Sequence, residues 1–287
     1  MNAKLSMIMS MVIFGTIGIF VEYISMPSGM IAAIRGIVGM LVIIVTMLVS
    51  RKKPDVKKIK NKLLLLITSG TAIGFNWILL FEAYRHTGIP VATVCYYMAP
   101  IIVISLSPLI FKERLGIRKL LCVAVALFGA IAVSGVLQAD TSKLTGIVLG
   151  LGAAVLYASV VIMNKFLGDI SALERTAIQL GVAGFTVLPY AIMTMGEISV
   201  DPVSLILVLV VGVFHTGFAY TVYFSAVGKL KSQTVAILSY IDPASAILLS
   251  SVLLSQMPTA YEAIGAIMII GAAFAAEVNI SPKNNEN

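Results

Sequence analysis

Apolar stretches separated by short polar segments run along the whole chain. Ten of them are long enough to cross a membrane as helices, because a span needs roughly 20 apolar residues for about 30 Å of hydrocarbon. They lie near residues 5–22, 29–49, 63–84, 90–110, 117–137, 145–167, 175–195, 203–227, 233–254 and 259–278. The pattern therefore predicts an all-α integral membrane protein with ten transmembrane helices.

Basic residues are concentrated in alternate loops between these stretches. Residues 51–62, RKKPDVKKIKNK, form the densest of them, whereas residues 195–202 in the second half contain Glu197 and Asp201 and no basic residue. Loops rich in Lys and Arg stay on the cytoplasmic side of a membrane. We therefore expect both termini in the cytoplasm, an arrangement that places seventeen basic residues inside and two outside.

The two halves of the chain match when one is shifted by 143 positions. The match needs no gap, and it pairs Tyr97 with Tyr240 and Pro100 with Pro243. Because each half has an odd number of predicted spans, a tandem copy crosses the membrane in the opposite sense. We predict a first five-helix repeat at residues 1–139 and an inverted five-helix repeat at residues 140–287, which includes a short cytoplasmic tail.

Composition supports a membrane protein and excludes several other classes. The chain is 59% hydrophobic and 11% charged, whereas soluble domains contain about 25% charged residues. Its net charge of +7 is spread over short alternating loops, so it indicates membrane orientation and no nucleic-acid partner. Lys4 and the apolar residues after it lack a cleavage site, which favours a first transmembrane helix over a signal peptide.

Enzyme motifs are absent from the sequence. There are two histidines in all, no cluster with metal-ligand spacing, no phosphate-binding loop and no nucleophile elbow. We therefore expect no enzyme activity, no metal, no cofactor and no ATP hydrolysis by this chain. Cys95 and Cys122 fall inside apolar stretches, where a thiol behaves as a small hydrophobic group.

An acid, Asp242, and a histidine, His215, lie near the middle of predicted spans. A carboxylate at that depth is costly and faces an interior, a cavity or a partner. Asp242 is therefore our leading candidate for proton coupling or amine binding, and His215 is the second because histidine titrates near neutral pH. Structural alternatives stay open for both: Asp242 bonded beside a kink at Pro243, and a neutral His215 bonded to a carbonyl or hydroxyl group.

Arg35 is the basic residue that lies well inside a predicted helix. Its guanidinium can hold a substrate carboxylate with two parallel hydrogen bonds. Because Arg35 lies toward the outer third of its span, it can also extend to the membrane surface or pair with Glu22. A pair with Asp242 is a third alternative that the sequence leaves open.

Aromatic and amide side chains in mid-span positions are candidates for the wall of a cavity. Trp77 is the one tryptophan of the chain and lies at a span midpoint next to Asn76, although membrane tryptophan normally occupies the interface. Tyr97 and Tyr240 occupy equivalent positions in the two halves, which suggests a shared wall or, alternatively, bonds to backbone groups near the prolines. The remaining substrate-binding candidates are Tyr220, and Tyr157, which like Phe14 is a weaker candidate for the cavity wall.

Two segments resemble a known transporter family. Residues 97–115, YMAPIIVISLSPLIFKERL, and residues 240–272, YIDPASAILLSSVLLSQMPTAYEAIGAIMIIGA, are similar to the fourth and the ninth and tenth spans of the EamA branch of the drug/metabolite transporter superfamily. The chain departs from the family pattern at Gln256 and Asp242, since glutamate is common at both positions in the family.

The resemblance implies a secondary active transporter of the plasma or inner membrane. It would export small polar metabolites such as amino acids or amines by alternating access around a central cavity, with protons as coupling ions. We expect membrane lipid around it and a monomer or homodimer. A lipid-carrier flippase and a multidrug or cation exporter of the same superfamily are the alternatives, and a channel would show no saturable exchange.

Overall fold

The computed structural model describes residues 2–51, 53–87, 92, 95–113, 116–133, 144–196, 201–253 and 259–277. Within these ranges the regular secondary structure is entirely helical. Six helices are long and apolar enough to cross a membrane, namely Ala3–Val21, Ser28–Val49, Leu63–His86, Leu144–Phe166, Ala172–Met193 and Pro202–Val227. The predicted all-α class is confirmed, whereas the count of ten spans and the position of the termini stay predictions.

Thirteen α-helices and one π-helix make up the described part of the chain. They are α1 (Ala3–Glu22), α2 (Ser28–Val49), α3 (Val56–Asn61), α4 (Leu63–Thr87), α5 (Ala99–Phe111), α6 (Ile117–Val133), α7 (Leu144–Phe166), α8 (Ala172–Met193), α9 (Pro202–Val210), α10 (Ala219–Val227), α11 (Ser232–Ser239), α12 (Ile241–Leu253) and α13 (Ala260–Glu277). The π-helix, Val211–Phe218, joins α9 to α10 without interruption. Gln256, one of the two departures from the family pattern, lies outside the described residues.

Glycines allow the central helices to approach closely. α2 crosses α8 where Gly36 meets Gly184, and a Cβ on Gly36 would lie 2.9 Å from the Cα of Gly184. α1 crosses α12 at Gly15, where a Cβ would lie 2.8 Å from the Asp242 carbonyl oxygen. Small residues drive such contacts between membrane helices because they bring the backbones together. These crossings hold α1, α2, α8 and α12 around the middle of the molecule.

Two helices begin near the middle of the molecule because the chain is interrupted there. α5 starts at Ala99 with Pro100 in its first turn. Since the N–H groups of a first turn have no acceptor within the helix, a proline there, which lacks an N–H, costs no hydrogen bond. α12 starts at Ile241, directly after Tyr240 ends α11. Tyr97 and Tyr240, which are 143 positions apart, lie at these interruptions. Interrupted helices at this depth are characteristic of transporter binding sites.

A buried arginine joins helix ends at the pole that carries residues 51–62. Arg175 is 2% exposed and donates from Nη1 to the carbonyl oxygens of Asn164 and Leu167, each at 3.2 Å. Its Nη2 donates to the carbonyl oxygen of Phe224 at 2.5 Å. Because positive charge is favourable at helix C-termini, one side chain satisfies the ends of both α7 and α10.

Asp201 caps α9 at the opposite pole. Its carboxylate accepts from the Ser204 backbone N–H at 2.9 Å and from the Ser204 hydroxyl at 2.6 Å. The Ser204 hydroxyl in turn accepts from the Ser25 N–H at 2.8 Å, which fastens the loop between α1 and α2. The hydrogen bonds from Ser204 lower the pKa of Asp201 below its usual value.

We expect the stabilising contribution of Asp201 to depend on pH. A carboxyl with a lowered pKa in the folded state stabilises above its unfolded pKa, about 3.9, and loses this effect as pH falls through the folded pKa. Asp201→Asn keeps a capping oxygen but does not titrate, so its thermal unfolding midpoint should fall below that of the wild type at pH 7. The difference should shrink in acid, and a difference independent of pH would contradict this account.

Candidate functional site

A cavity of about 420 Å³ lies between the central helices. Its size falls in the range of small-molecule sites, roughly 300–1,000 Å³. Six of the residues that we predicted to bind substrate line it: Arg35, Trp77, Tyr97, Tyr157, Tyr220 and Asp242. The wall also includes Met11, Phe14, Gly15, Ile17, Gly18, Leu80, Tyr84, Tyr96, Pro100, Tyr223, Ser239 and Ala246.

Aromatic rings form one continuous wall of this cavity. Phe14 contacts Tyr220 edge-on with 5.1 Å between ring centroids, and Tyr96 lies 5.4 Å from Tyr157. The hydroxyl groups of Tyr157 and Tyr223 are hydrogen-bonded at 2.6 Å. Such a surface offers π faces to an apolar or cationic group and hydroxyl groups to a polar one.

Arg35 places its guanidinium over the ring of Trp77. The distance from Cζ to the ring centroid is 4.0 Å, and Trp77 itself is 4% exposed. The Nε atom of Arg35 is buried and has no hydrogen-bond partner among the described residues. The tryptophan therefore holds the cation in the wall by a cation–π contact, while the Nε–H donor is unused among the described residues.

Asp242 contributes the carboxylate of the cavity wall. It lies in the first turn of α12 beside the interruption at Tyr240. Within the described part of the chain its carboxylate forms no ion pair, with Arg35 or with any other residue. The partial positive charge of a helix N-terminus favours an anion there. The cavity thus presents an acid and a base that are not paired with each other.

Many lining positions correspond across the 143-residue shift between the two halves. Phe14 corresponds to Tyr157, Trp77 to Tyr220, Leu80 to Tyr223 and Tyr96 to Ser239, and all eight line the cavity. The charged residues break this correspondence, because Arg35 matches Ile178 and Asp242 matches Ala99. The cavity is therefore near-symmetric in its aromatic wall and asymmetric in its charges.

His215 lies in the π-helix behind α1 and does not line the cavity. Its Nε2 is 2.8 Å from the Thr16 hydroxyl, which also lies 2.7 Å from the Ile13 carbonyl oxygen. The tautomer of the ring sets which atom donates in the contact between Nε2 and the hydroxyl. The contact of His215 with Thr16 matches the structural alternative that we left open for this residue.

Asn76 and Tyr240 are also held away from the cavity. The Asn76 side chain donates to the Ala153 carbonyl at 2.7 Å, which links α4 to α7. The Tyr240 hydroxyl donates to the Tyr97 carbonyl at 2.8 Å, and Tyr240 is completely buried. The two equivalent tyrosines therefore touch each other at the interruptions, but Tyr97 alone reaches the cavity.

Sequence reasoning missed Tyr84, Tyr96 and Ser239 as lining residues. Tyr84 lies seven residues after Trp77, so helical periodicity places it on the same face two turns later. Tyr96 and Ser239 precede the interruptions of their helices, and no pattern in the sequence indicated which way the chain turns there. The first residue could have been predicted, whereas the other two required the backbone path.

The fold and the cavity together define a class of protein. Five of the six apolar helices of membrane-spanning length contribute residues to the wall of a cavity, which is lined by aromatic rings and by two charged groups that form no ion pair with a described residue. Ionisable residues at membrane depth mark substrate or ion pathways. These are the features of a membrane transport protein.

The chain belongs to the EamA-like transporter family, whose model matches residues 1–135 and 144–276. It is 28% identical over 273 residues to an uncharacterized transporter YxxF of Bacillus subtilis, covering 93% of this chain and 87% of that protein. It is 25% identical to a probable amino-acid metabolite efflux pump of Salmonella typhimurium, covering 75% and 77% of the two chains. A solved crystal structure matches with a TM-score of 0.82 at 18% identity, over 96% of this chain and 98% of that one, which shows the shared fold.

Proposed function

We propose that the protein exports small polar metabolites, amino acids or amines, as a secondary active transporter of the cell membrane. The observation that carries the proposal is the cavity in which Arg35 and Asp242 are unpaired on an aromatic wall. A substrate ammonium group can approach Asp242 and the rings, while a carboxylate can approach Arg35. A name given to one relative, probable amino-acid metabolite efflux pump, agrees with such substrates.

We further propose ten membrane spans in two inverted repeats, residues 1–139 and 140–287, with both termini in the cytoplasm. Two findings support the repeat: the family model matches twice along the chain, and helices α5 and α12 start within one residue of corresponding positions. Two such halves can tilt against each other and expose the cavity to each side in turn. The transporter acts as a monomer or a homodimer.

Asp242 is the proton-coupling group in this proposal. A carboxylate that faces a cavity and lacks a cationic partner can bind a proton in one conformation and release it in the other. His215 is a second candidate, because histidine is the side chain that ordinarily titrates near neutral pH. Since His215 packs behind α1 next to Thr16, its protonation would act on the α1 contact and not on the substrate directly.

Uptake into proteoliposomes tests the function. Purified protein would be reconstituted and offered labelled amino acids, amines, an organic cation and a lipid-linked sugar, with and without an imposed proton gradient. Saturable, gradient-stimulated uptake of an amino acid or amine is the expected result. Uptake of the organic cation alone would favour a cation exporter, movement of the lipid-linked sugar alone a flippase, and unsaturable flux a channel.

We expect Arg35 to select substrates that carry a carboxylate. Replacement of Arg35 by Gln should raise the KM for an amino acid about tenfold or more, because a charged hydrogen bond contributes about 1.5–3 kcal/mol. The KM for the corresponding decarboxylated amine should change little. Tyr84→Phe, at another cavity position, is the matched control, and an equal loss for the acid and the amine would contradict this role.

A further inference from the structure

A second, apolar pocket lies at the pole that carries residues 51–62, away from the cavity. It has a volume of about 270 Å³ and lies between α2 and α8. Its wall includes Ile44, Met47 and Leu48 of α2, Ala177 and Ile178 of α8, and Ile59 of α3. We call it the edge groove.

The edge groove opens onto the outer surface of the helices. Leu48 is 71% exposed and Ile44 is 40% exposed, and they continue a row of exposed apolar residues on α2 that includes Leu41 and Val45. In a protein of this family such a surface faces lipid tails. The groove is therefore an indentation in the lipid-facing surface that an acyl chain can enter.

Cations without ion-pair partners among the described residues lie in the segment that contributes Pro54 and Ile59 to the groove wall. Lys58 pairs with Asp55 at 3.2 Å and Lys62 with Asp169 at 3.6 Å, and Arg51, Lys53, Lys57 and Lys60 are exposed and form no ion pair with a described residue. Ile59, which lies in the same short helix α3 as Lys57 and Lys60, lines the groove. Basic clusters at the end of a transmembrane helix attract anionic lipid headgroups.

Glu174, an acid in the groove wall, is already engaged by the protein. Its Oε1 accepts from the Asp55 N–H at 2.5 Å, and its Oε2 accepts from the N–H and hydroxyl of Ser171. These bonds fix the segment that carries the lysines against the first turn of α8. Glu174 therefore positions the basic residues beside the apolar groove.

We propose that the edge groove is a binding site for an anionic glycerophospholipid. One acyl chain occupies the groove between α2 and α8, and the headgroup phosphate contacts Lys57 and Lys60. Neither feature alone selects this ligand, because the apolar groove accepts any acyl chain and the lysines accept any anion. Because the short helix α3 carries both Ile59 of the groove wall and the two lysines, a lipid that has both an acyl chain and an anionic headgroup can contact the groove and the lysines together.

Native mass spectrometry of the full-length protein tests the site. Detergent-purified protein would be titrated with phosphatidylglycerol, with phosphatidylcholine and with soluble glycerol 3-phosphate. The wild type should retain phosphatidylglycerol about tenfold more strongly than phosphatidylcholine, since each basic residue near a membrane surface adds substantially to anionic-lipid binding. Glycerol 3-phosphate should not be retained, and its retention would show that the site is an anion site without an acyl chain.

Two pairs of matched variants separate the headgroup from the chain. Replacing Lys57 and Lys60 by Gln should remove the preference for phosphatidylglycerol, whereas replacing Lys112 and Lys229 by Gln should leave it. Ile44→Ser should weaken retention of both lipids, whereas Leu41→Ser, on the same helix outside the groove, should not. Thermal unfolding midpoints of all variants confirm that they are folded.

Besides retention of glycerol 3-phosphate, three results would overturn the proposal. The first is equal retention of the two lipids by the wild type, and the second is an equal effect of the control and test substitutions. The third is a dimer mass that disappears in Ile44→Ser, which would assign the groove to a second copy of this chain. None of these readouts depends on transport, so the lipid site and the proposed function can fail separately.

Discussion

Replacement of Asp242 by Asn is expected to abolish uptake driven by a proton gradient while the protein stays folded. Asparagine keeps the size and the hydrogen-bonding oxygen of the side chain but can neither bind nor release a proton. Since coupling between two ligands typically amounts to 1–3 kcal/mol, the stimulation by the gradient should fall by about 5- to 150-fold. The measurement compares initial rates in proteoliposomes with and without the gradient.

A second assay separates coupling from substrate binding at Asp242. Exchange of labelled for unlabelled substrate without a gradient should continue in Asp242→Asn if Asp242 serves coupling alone, and it should also fail if Asp242 holds a substrate ammonium group. Ser239→Ala is the matched control, because Ser239 lines the same cavity and carries no charge. Unchanged gradient-driven uptake in Asp242→Asn would show that this carboxylate is structural.

Removal of the Arg175 side chain is expected to produce the largest loss of stability. Arg175→Met fills a similar space but leaves the carbonyl oxygens of Asn164 and Leu167 without these donors, and it removes the donor to Phe224. Hydrogen bonds to charged groups contribute about 1.5–3 kcal/mol each, so we expect the free energy of unfolding to fall by about 3 kcal/mol or more. Thermal unfolding in detergent measures the change.

Two further variants test the explanation for Arg175. Arg175→Lys keeps the positive charge at the helix ends but cannot reach three oxygens with a planar fork, so its stability should lie between those of the wild type and Arg175→Met. Lys229→Met, an exposed cation near the same helix end, should have little effect. Equal stability of Arg175→Met and the wild type would contradict the proposed role.

The pattern of apolar stretches predicted the long helices accurately, because a helix that crosses lipid must be apolar over roughly 20 residues. Ser28–Val49 and Ala172–Met193, for example, begin and end within three residues of the predicted spans. The interruption at Tyr240 and the π-helix at Val211–Phe218 were not predicted. The interruption and the π-helix depend on how neighbouring helices cross. The sequence gives no sign of either one, because the residues before and after it are similarly hydrophobic.

The depth of a residue in its predicted span identified part of the cavity wall. Depth could not distinguish a side chain that faces the cavity from one that faces a neighbouring helix. Trp77 and Asp242 face the cavity, whereas His215, at a similar depth, is turned toward Thr16. A polar residue in mid-span needs a partner or a cavity, and both outcomes satisfy that requirement. Which outcome occurs is set by the rotation of each helix about its own axis, and that rotation depends on tertiary contacts.

The π-helix also makes the winding of its span a determinant of what the cavity presents. Its i→i+5 hydrogen bonds accommodate an extra residue in Val211–Phe218, so a return to α-helical winding without the loss of a residue would turn the later side chains by about 100°, the rotation of one residue around a helix axis. Tyr220 and Tyr223 would then leave the cavity wall although neither had been substituted. A change in winding alone could in this way redirect the transporter to a different substrate.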